Sequence, residues 1–272
     1  MSMKFFFLSI LLFITGNIYS RQRIVSLNGA ISEMLCALGL ENAIVGVDVT
    51  SNYPASLLQK NKVGHNRTIS AEGILALRPT LVLGMKDQLK PEVAEQLSAA
   101  NVKVHLLPQE YSVAGTRSLL VQVANATGAG EKAKQVEAAF SKQYLALHVT
   151  PVKKKVLFIY ARGTGSMMVS GTGTPVDKMI QLAGAQNAVT EFTGFKQLSA
   201  ESLVAANPDV ILLFDSGLQS IGGADGLLKV PGVAQTNAGR NKKVVSMDGQ
   251  FLSGFGLRLP EAVNELNKKL NQ

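Results

Sequence analysis

Two glutamates occupy the same place in two gapless copies of one segment. Ser70-Ala-Glu-Gly-Ile-Leu-Ala-Leu-Arg-Pro-Thr-Leu-Val-Leu83 aligns with Ser199-Ala-Glu-Ser-Leu-Val-Ala-Ala-Asn-Pro-Asp-Val-Ile-Leu212, with identity at Ser, Ala, Glu, a second Ala, Pro and the final Leu. Ser70 and Ser199 have the chemistry of helix N-caps, and Glu72 and Glu201 fall in the first turn, where the helix dipole favours a carboxylate. That local role accounts for both side chains without a partner. The repeat adds a second reading, in which two lobes of one design each present an exposed carboxylate to a partner with paired basic sites. The run Gly163-Thr-Gly-Ser-Met-Met-Val-Ser-Gly-Thr-Gly-Thr174 has the composition of a phosphate loop. No Gly-Lys-Ser/Thr follows it, and its glycines are out of register for Gly-x-Gly-x-x-Gly, so neither nucleotide motif is present.

Nucleophilic and metal chemistry is sparse. A single Cys excludes an internal disulfide framework and any Cys-based zinc site. Cys36 lies in an apolar helical pattern and reads as core. Of the three histidines, His105 falls inside the strand pattern Val102 to Leu107, His148 ends a helical pattern where a cation suits the dipole, and His65 stands in a loop before a helix. Gly-x-Ser-x-Gly, His-Glu-x-x-His and a Cys beside a His are all missing. An acid pair such as Glu110 with Asp48 is the enzymatic arrangement left open, and the reading is of a binding protein and not an enzyme.

The elements that must position these residues follow from composition and period. The chain has 272 residues, 46% of them apolar and 17% charged, which is too apolar for disorder. Lys4, the apolar run Phe5 to Ile14, then Thr15, Gly16 and Asn17 read as a secretory signal over residues 1–20, with an apolar core about half the length of a membrane span. Removing it leaves 26 basic and 19 acidic side chains, net +7, on an exported chain. The basic residues are scattered, with no run longer than Lys153-Lys154-Lys155 and no interleaved aromatics, which argues against nucleic acid and for a small anionic ligand or membrane surface.

Short apolar runs alternate with segments of helical period, the mark of parallel sheets with covering helices. Glu131 to His148 is one unbroken stretch of helix formers, with Ala133, Val136, Phe140 and Tyr144 on one face, about 27 Å long. The predicted fold is α/β: two Rossmann-like lobes with mainly parallel sheets joined by one long α-helix. The lobes cover 21–128 and 151–272, and the connecting helix covers 129–150.

The opening Arg23-Ile-Val-Ser-Leu27, the segment Gly46-Val-Asp-Val-Thr-Ser-Asn-Tyr-Pro54, the segment Val63-Gly-His-Asn-Arg-Thr-Ile-Ser-Ala-Glu-Gly-Ile-Leu75 and the two Glu-bearing copies resemble periplasmic substrate-binding proteins of the single-helix-hinged class, which serve ABC importers of metal chelates. Within that class the mature chain most resembles the haem-binding subfamily. Ferric siderophore and vitamin B12 binders share the architecture. The resemblance implies a ligand between the lobes, and salt bridges from Glu72 and Glu201 to arginines of an inner-membrane permease that works with an ATPase. Relatives place a Tyr phenolate on ferric iron in a Gly-Tyr-x-Arg segment; here the segment is Gly64-His65-Asn66-Arg67. The implied site therefore has His65 as axial ligand to the haem iron and Arg67 on a propionate. Some relatives carry a His after the first strand of the second lobe. This chain has Arg162 there, suited to a propionate, and Tyr160 nearby, which ends its strand and reads either as a phenolate donor to the iron or as a packing residue.

Overall fold

The structure, a computed structural model, describes residues 22–65 and 68–272. The expected leader 1–20 and the expected ligand residue Arg67 lie outside the described residues.

The first half builds β1 (Ile24–Ser26), α1 (Gly29–Ala37), β2 (Ile44–Val47), β3 (Asn61–Lys62), α2 (Ala71–Leu75), β4 (Leu81–Met85), α3 (Pro91–Ala99), β5 (Lys103–Leu107) and α4 (Val113–Thr127). Its sheet has the order β3-β2-β1-β4-β5 and every pair is parallel. Alternate residues point to opposite faces. Ile24, Leu81 and Leu83 accordingly join α1 and α4 in one buried layer, while Val25 and Val82 join α2 and α3 in the other.

After α5 (Gly130–Leu145) come β6 (Lys155–Ala161), β7 (Met167–Ser170), α6 (Pro175–Leu182), β8 (Gln186–Asn187), β9 (Phe195–Gln197), α7 (Ala200–Ala206) and β10 (Val210–Phe214). The chain continues with α8 (Asp215–Ser220), α9 (Gly223–Leu228), α10 (Asn237–Arg240), β11 (Val244–Met247), α11 (Gly249–Ser253) and α12 (Leu259–Asn271). Here the sheet is mixed. β6, β10 and β11 are parallel and β8 pairs parallel with β6, but β7 runs antiparallel to β6 and β9 antiparallel to β7. The second sheet is thus mainly parallel, as expected, with one antiparallel hairpin added at β7 and β9. Only residues 162–166 separate β6 from β7, far fewer than the dozen or more a parallel crossover needs, so the strand must return antiparallel.

The two copies of the repeat fold alike. The Ser70 hydroxyl accepts from the Gly73 N–H and the Ser199 hydroxyl from the Ser202 N–H, each capping a short helix. A buried Pro follows, then a strand buried on both faces, β4 or β10.

Helix α5 touches both halves: Ala133 belongs to the core of the first and Phe140 to that of the second. Seven residues at 1.5 Å each put these anchors about 10 Å apart along the axis. The helix ends at Leu145, short of the expected His148, and the chain a few residues beyond it is held by tertiary bonds. Asn267 donates to the Thr150 carbonyl at 2.6 Å, and the Val152 N–H donates to Gly184 at 2.8 Å. His148 sits in that connecting loop, and His105 is an exposed residue of edge strand β5.

Candidate functional site

In open α/β sheets, ligands bind outside the carboxyl ends of the strands. Here those ends converge from both halves. A cavity of about 530 Å³ is lined by residues that follow β1 (Asn28), β2 (Thr50, Asn52), β4 (Gln88), β5 (Gln109, Tyr111), β10 (Ser216) and β11 (Asp248, Gln250), together with Tyr160 and Arg162 from the end of β6. His65 lines the same cavity. A continuing space of about 380 Å³ is bounded by His65, Tyr160, Arg162, Met168, Pro175, Phe195 and Phe214. Both volumes fall in the usual range for small-molecule pockets. A wider groove of about 760 Å³ runs between the start of α4 and α6. It shares Gln109 and Tyr111 with the cleft, but His65, Tyr160 and Arg162 do not line it.

One wall is set by the exit of β3. Gly64, at φ +106°, makes the turn that releases His65 from the strand, and the His65 carbonyl accepts from the Thr68 N–H at 2.7 Å. Only glycine adopts such a φ at little steric cost. The β2 exit braces this turn from beside it. Asp48, 2% exposed, accepts from the Thr50 N–H at 3.0 Å and from the hydroxyls of Thr50 and Ser51.

The other wall is aromatic. Tyr160 meets Phe214 edge to face at 6.1 Å and Phe195 at 6.4 Å, and Phe214 in turn packs on Phe158 at 4.8 Å. The Arg162 guanidinium lies 5.4 Å from the centre of the Tyr160 ring. Strand alternation sends Met167 into the core and Met168 to the cleft, so only the second of the two methionines lines the cavity. The glycine-rich run serves the protein's own packing at Gly171, where a Cβ would collide with the Phe192 carbonyl.

His65, Tyr160 and Arg162 are thus brought to one cavity. Glu72 and Glu201 are exposed in the first turns of α2 and α7, outside the cavity lining. Glu110 is exposed and accepts from the Ser112 hydroxyl, while Asp48 is enclosed by its own loop, so the two form no acid pair. Cys36 packs against the first core. Burial, then the charge of Glu41, pushes its thiol up to about 12, far from a reactive thiolate.

A crosspiece beside the cleft has no signal in sequence spacing. Glu33 of α1, 6% exposed, accepts from the Arg258 N–H at 2.8 Å and from its guanidinium at 3.1 Å. That guanidinium lies 3.5 Å from the centre of the Tyr53 ring and 4.9 Å from that of Phe251. Gln109 donates to the Gly254 carbonyl and Thr116 to the Phe255 carbonyl, at 2.9 and 3.0 Å. Leu257 packs on both cores. Burial outweighs the attraction of Arg258 and holds the Glu33 carboxyl above its usual range.

Residues 24–251 match the periplasmic binding protein family model. The chain belongs to that family. Among solved structures it is similar to the periplasmic haem-binding protein RhuT from Roseiflexus sp. RS-1, at 39% identity and TM-score 0.87, with 92% of this chain and 97% of that one covered. It is also similar to the haem-binding protein HmuT, at 30% identity and TM-score 0.83, with 92% and 84% covered. HmuT has also been solved with a tyrosine, an arginine two positions after it, and a histidine each replaced by alanine. Among curated proteins, the uncharacterised ABC transporter substrate-binding lipoprotein YvrC of Bacillus subtilis (strain 168) is 27% identical over 92% of this chain and 80% of its own. The vitamin B12-binding protein of Pectobacterium atrosepticum (strain SCRI 1043) is 25% identical over 71% of each. This periplasmic binding protein thus shares more of its sequence with the two haem binders than with the B12 binder.

Proposed function

We propose that the chain captures haem between its lobes in the periplasm and delivers it to an inner-membrane ABC permease and its ATPase. The lobes are residues 21–128 and 151–272, joined through 129–150. The observation that carries the reading is one cavity holding an imidazole from the first lobe, His65, and a phenol from the second, Tyr160, with a guanidinium, Arg162, against the phenol ring. Imidazole and phenolate are both established axial ligands of haem iron. The two donors would reach the iron from opposite lobes, so that binding itself ties the lobes together. Phe195, Phe214 and Met168 supply the apolar contacts a macrocycle needs.

Arg162 is suited to a propionate, where its planar fork matches a carboxylate, and its charge offsets that of a phenolate on the iron. Arg67 has the same chemistry for the second propionate. The Tyr-x-Arg spacing of Tyr160 and Arg162 equals that of the tyrosine and arginine replaced in the HmuT variants, and the 39% identity to a haem binder supports the same ligand. Glu72 and Glu201 form the permease-docking pair. Exposed ion pairs are worth only about 0–1 kcal/mol each, so they set orientation more than affinity.

The test is an ultraviolet-visible titration of the purified protein with ferric haem, beside Tyr160→Phe and His65→Ala, with cyanocobalamin as the competing ligand. A saturable Soret band that shifts in each variant is the expected result. A Soret band indifferent to both substitutions moves the ligands elsewhere, and cobalamin binding without haem binding replaces the reading with a corrinoid carrier.

A further inference from the structure

Asp48 is a carboxylate almost wholly removed from water, and burying such a group is costly unless it is hydrogen-bonded. Its hydrogen-bond donors all belong to its own loop, the Thr50 N–H and the hydroxyls of Thr50 and Ser51, and the Lys62 ammonium is attracted to its charge. From Ser51 a hydroxyl chain runs inward, to Ser32 of α1 at 2.8 Å and from Ser32 to Ser26 of β1 at 2.8 Å, all three serines being fully buried. The loop is therefore fastened at one end to the rigid floor of the first lobe.

At its other end the loop grips the segment that carries His65. The Val49 N–H donates to the Gly64 carbonyl at 3.1 Å, and Lys62 donates its ammonium to the Ser51 carbonyl at 2.8 Å. Those contacts fix residues 62 and 64 on either side of Val63, whose own N–H donates to Val47 at 3.0 Å. His65 follows directly. We infer that Asp48 is a positioning residue for His65: its carboxylate fixes the 48–51 loop, the loop holds Gly64, and the imidazole is thereby aimed into the cleft. The effect on haem rests on the proposed role of His65; the positioning itself rests on this geometry alone.

Nuclear magnetic resonance of the haem-free protein separates the two. The chain has three histidines, so the His65 ring C–H signals are assigned by their loss in His65→Ala. In Asp48→Asn and Ser51→Ala, the His65 signals are expected to shift or broaden while those of His105 and His148 stay in place. Haem should bind these variants roughly ten- to a hundred-fold more weakly, as when the outer-shell partner of a metal ligand is lost. If Asp48→Asn does not fold, Ser51→Ala, which removes one hydroxyl donor, carries the decision. Folded variants with unmoved His65 signals overturn the inference. Moved signals with wild-type haem affinity, together with a His65→Ala complex identical to wild type, uphold the positioning and overturn His65 as the iron donor.

Discussion

At the scale of single residues, the cleft joins groups that no local pattern joins. Tyr160 and Arg162 sit two apart at the end of β6, but His65 reaches them only because both sheets turn their carboxyl ends to one cavity. If Arg162 holds a propionate as proposed, Arg162→Ala loses a charge-assisted contact worth about 1.5–3 kcal/mol, and haem should leave this variant roughly ten- to a hundred-fold faster, with its Soret band otherwise in place. Transfer to excess apomyoglobin measures that rate, and an unchanged rate sends the propionates to other partners. His65 and Tyr160 stand out in the sequence through segments that resemble the family, and the structure brings both to one cavity. The aromatic partners of Tyr160 were not, since Phe195 and Phe214 enter from two other strands.

At the scale of elements, period and caps foretold most of what is seen. Strands β2 and β10 and helix α3 fall where apolar runs and Gly or Pro breaks put them, and both repeat helices begin on their serine caps. Strand direction was not legible in the β6–β7 hairpin, because apolar runs look alike in either direction and only the loop length decides. Phe140, 3% exposed, is the anchor of α5 in the second core, and Phe140→Ala should cost about 3–5 kcal/mol in urea unfolding. Ser199→Ala removes only a cap and should cost about 1 kcal/mol. Similar losses from the two substitutions contradict the burial of Phe140 as the main hold on this helix.

At the scale of the molecule, α5 and the Glu33–Arg258 crosspiece fix the two halves at separate places. Burial outweighs Arg258 and raises the Glu33 carboxyl, so the folded protein binds that proton more tightly than the unfolded chain does. The contribution is then fully present below the ordinary carboxylate range and is lost as pH rises through the raised value. The stability of wild type relative to Glu33→Gln should therefore decline as pH rises from the ordinary carboxylate range through the raised value. A difference that stays flat in denaturant melts across that range refutes the raised carboxyl. Replacing both Glu72 and Glu201 by Ala should leave haem titrations unchanged and lower uptake in cells that depend on the transporter. Weaker haem binding in that double variant argues against a docking role. Two lobes and a linking helix were legible from the repeat and the long helical run, but the crosspiece was not, because spacing carries no trace of a bond across 225 residues.

That bond also sets an order of events during synthesis. Every strand of the first sheet precedes residue 108, yet the Glu33 carboxylate on its first helix has no cation beside it until the segment around Arg258 has been made. Contacts this distant in sequence are the slow ones to form. All strands of the first sheet are thus made before the residue that ties Glu33 to the second half exists, and that tie can close only once nearly the last residues have been added.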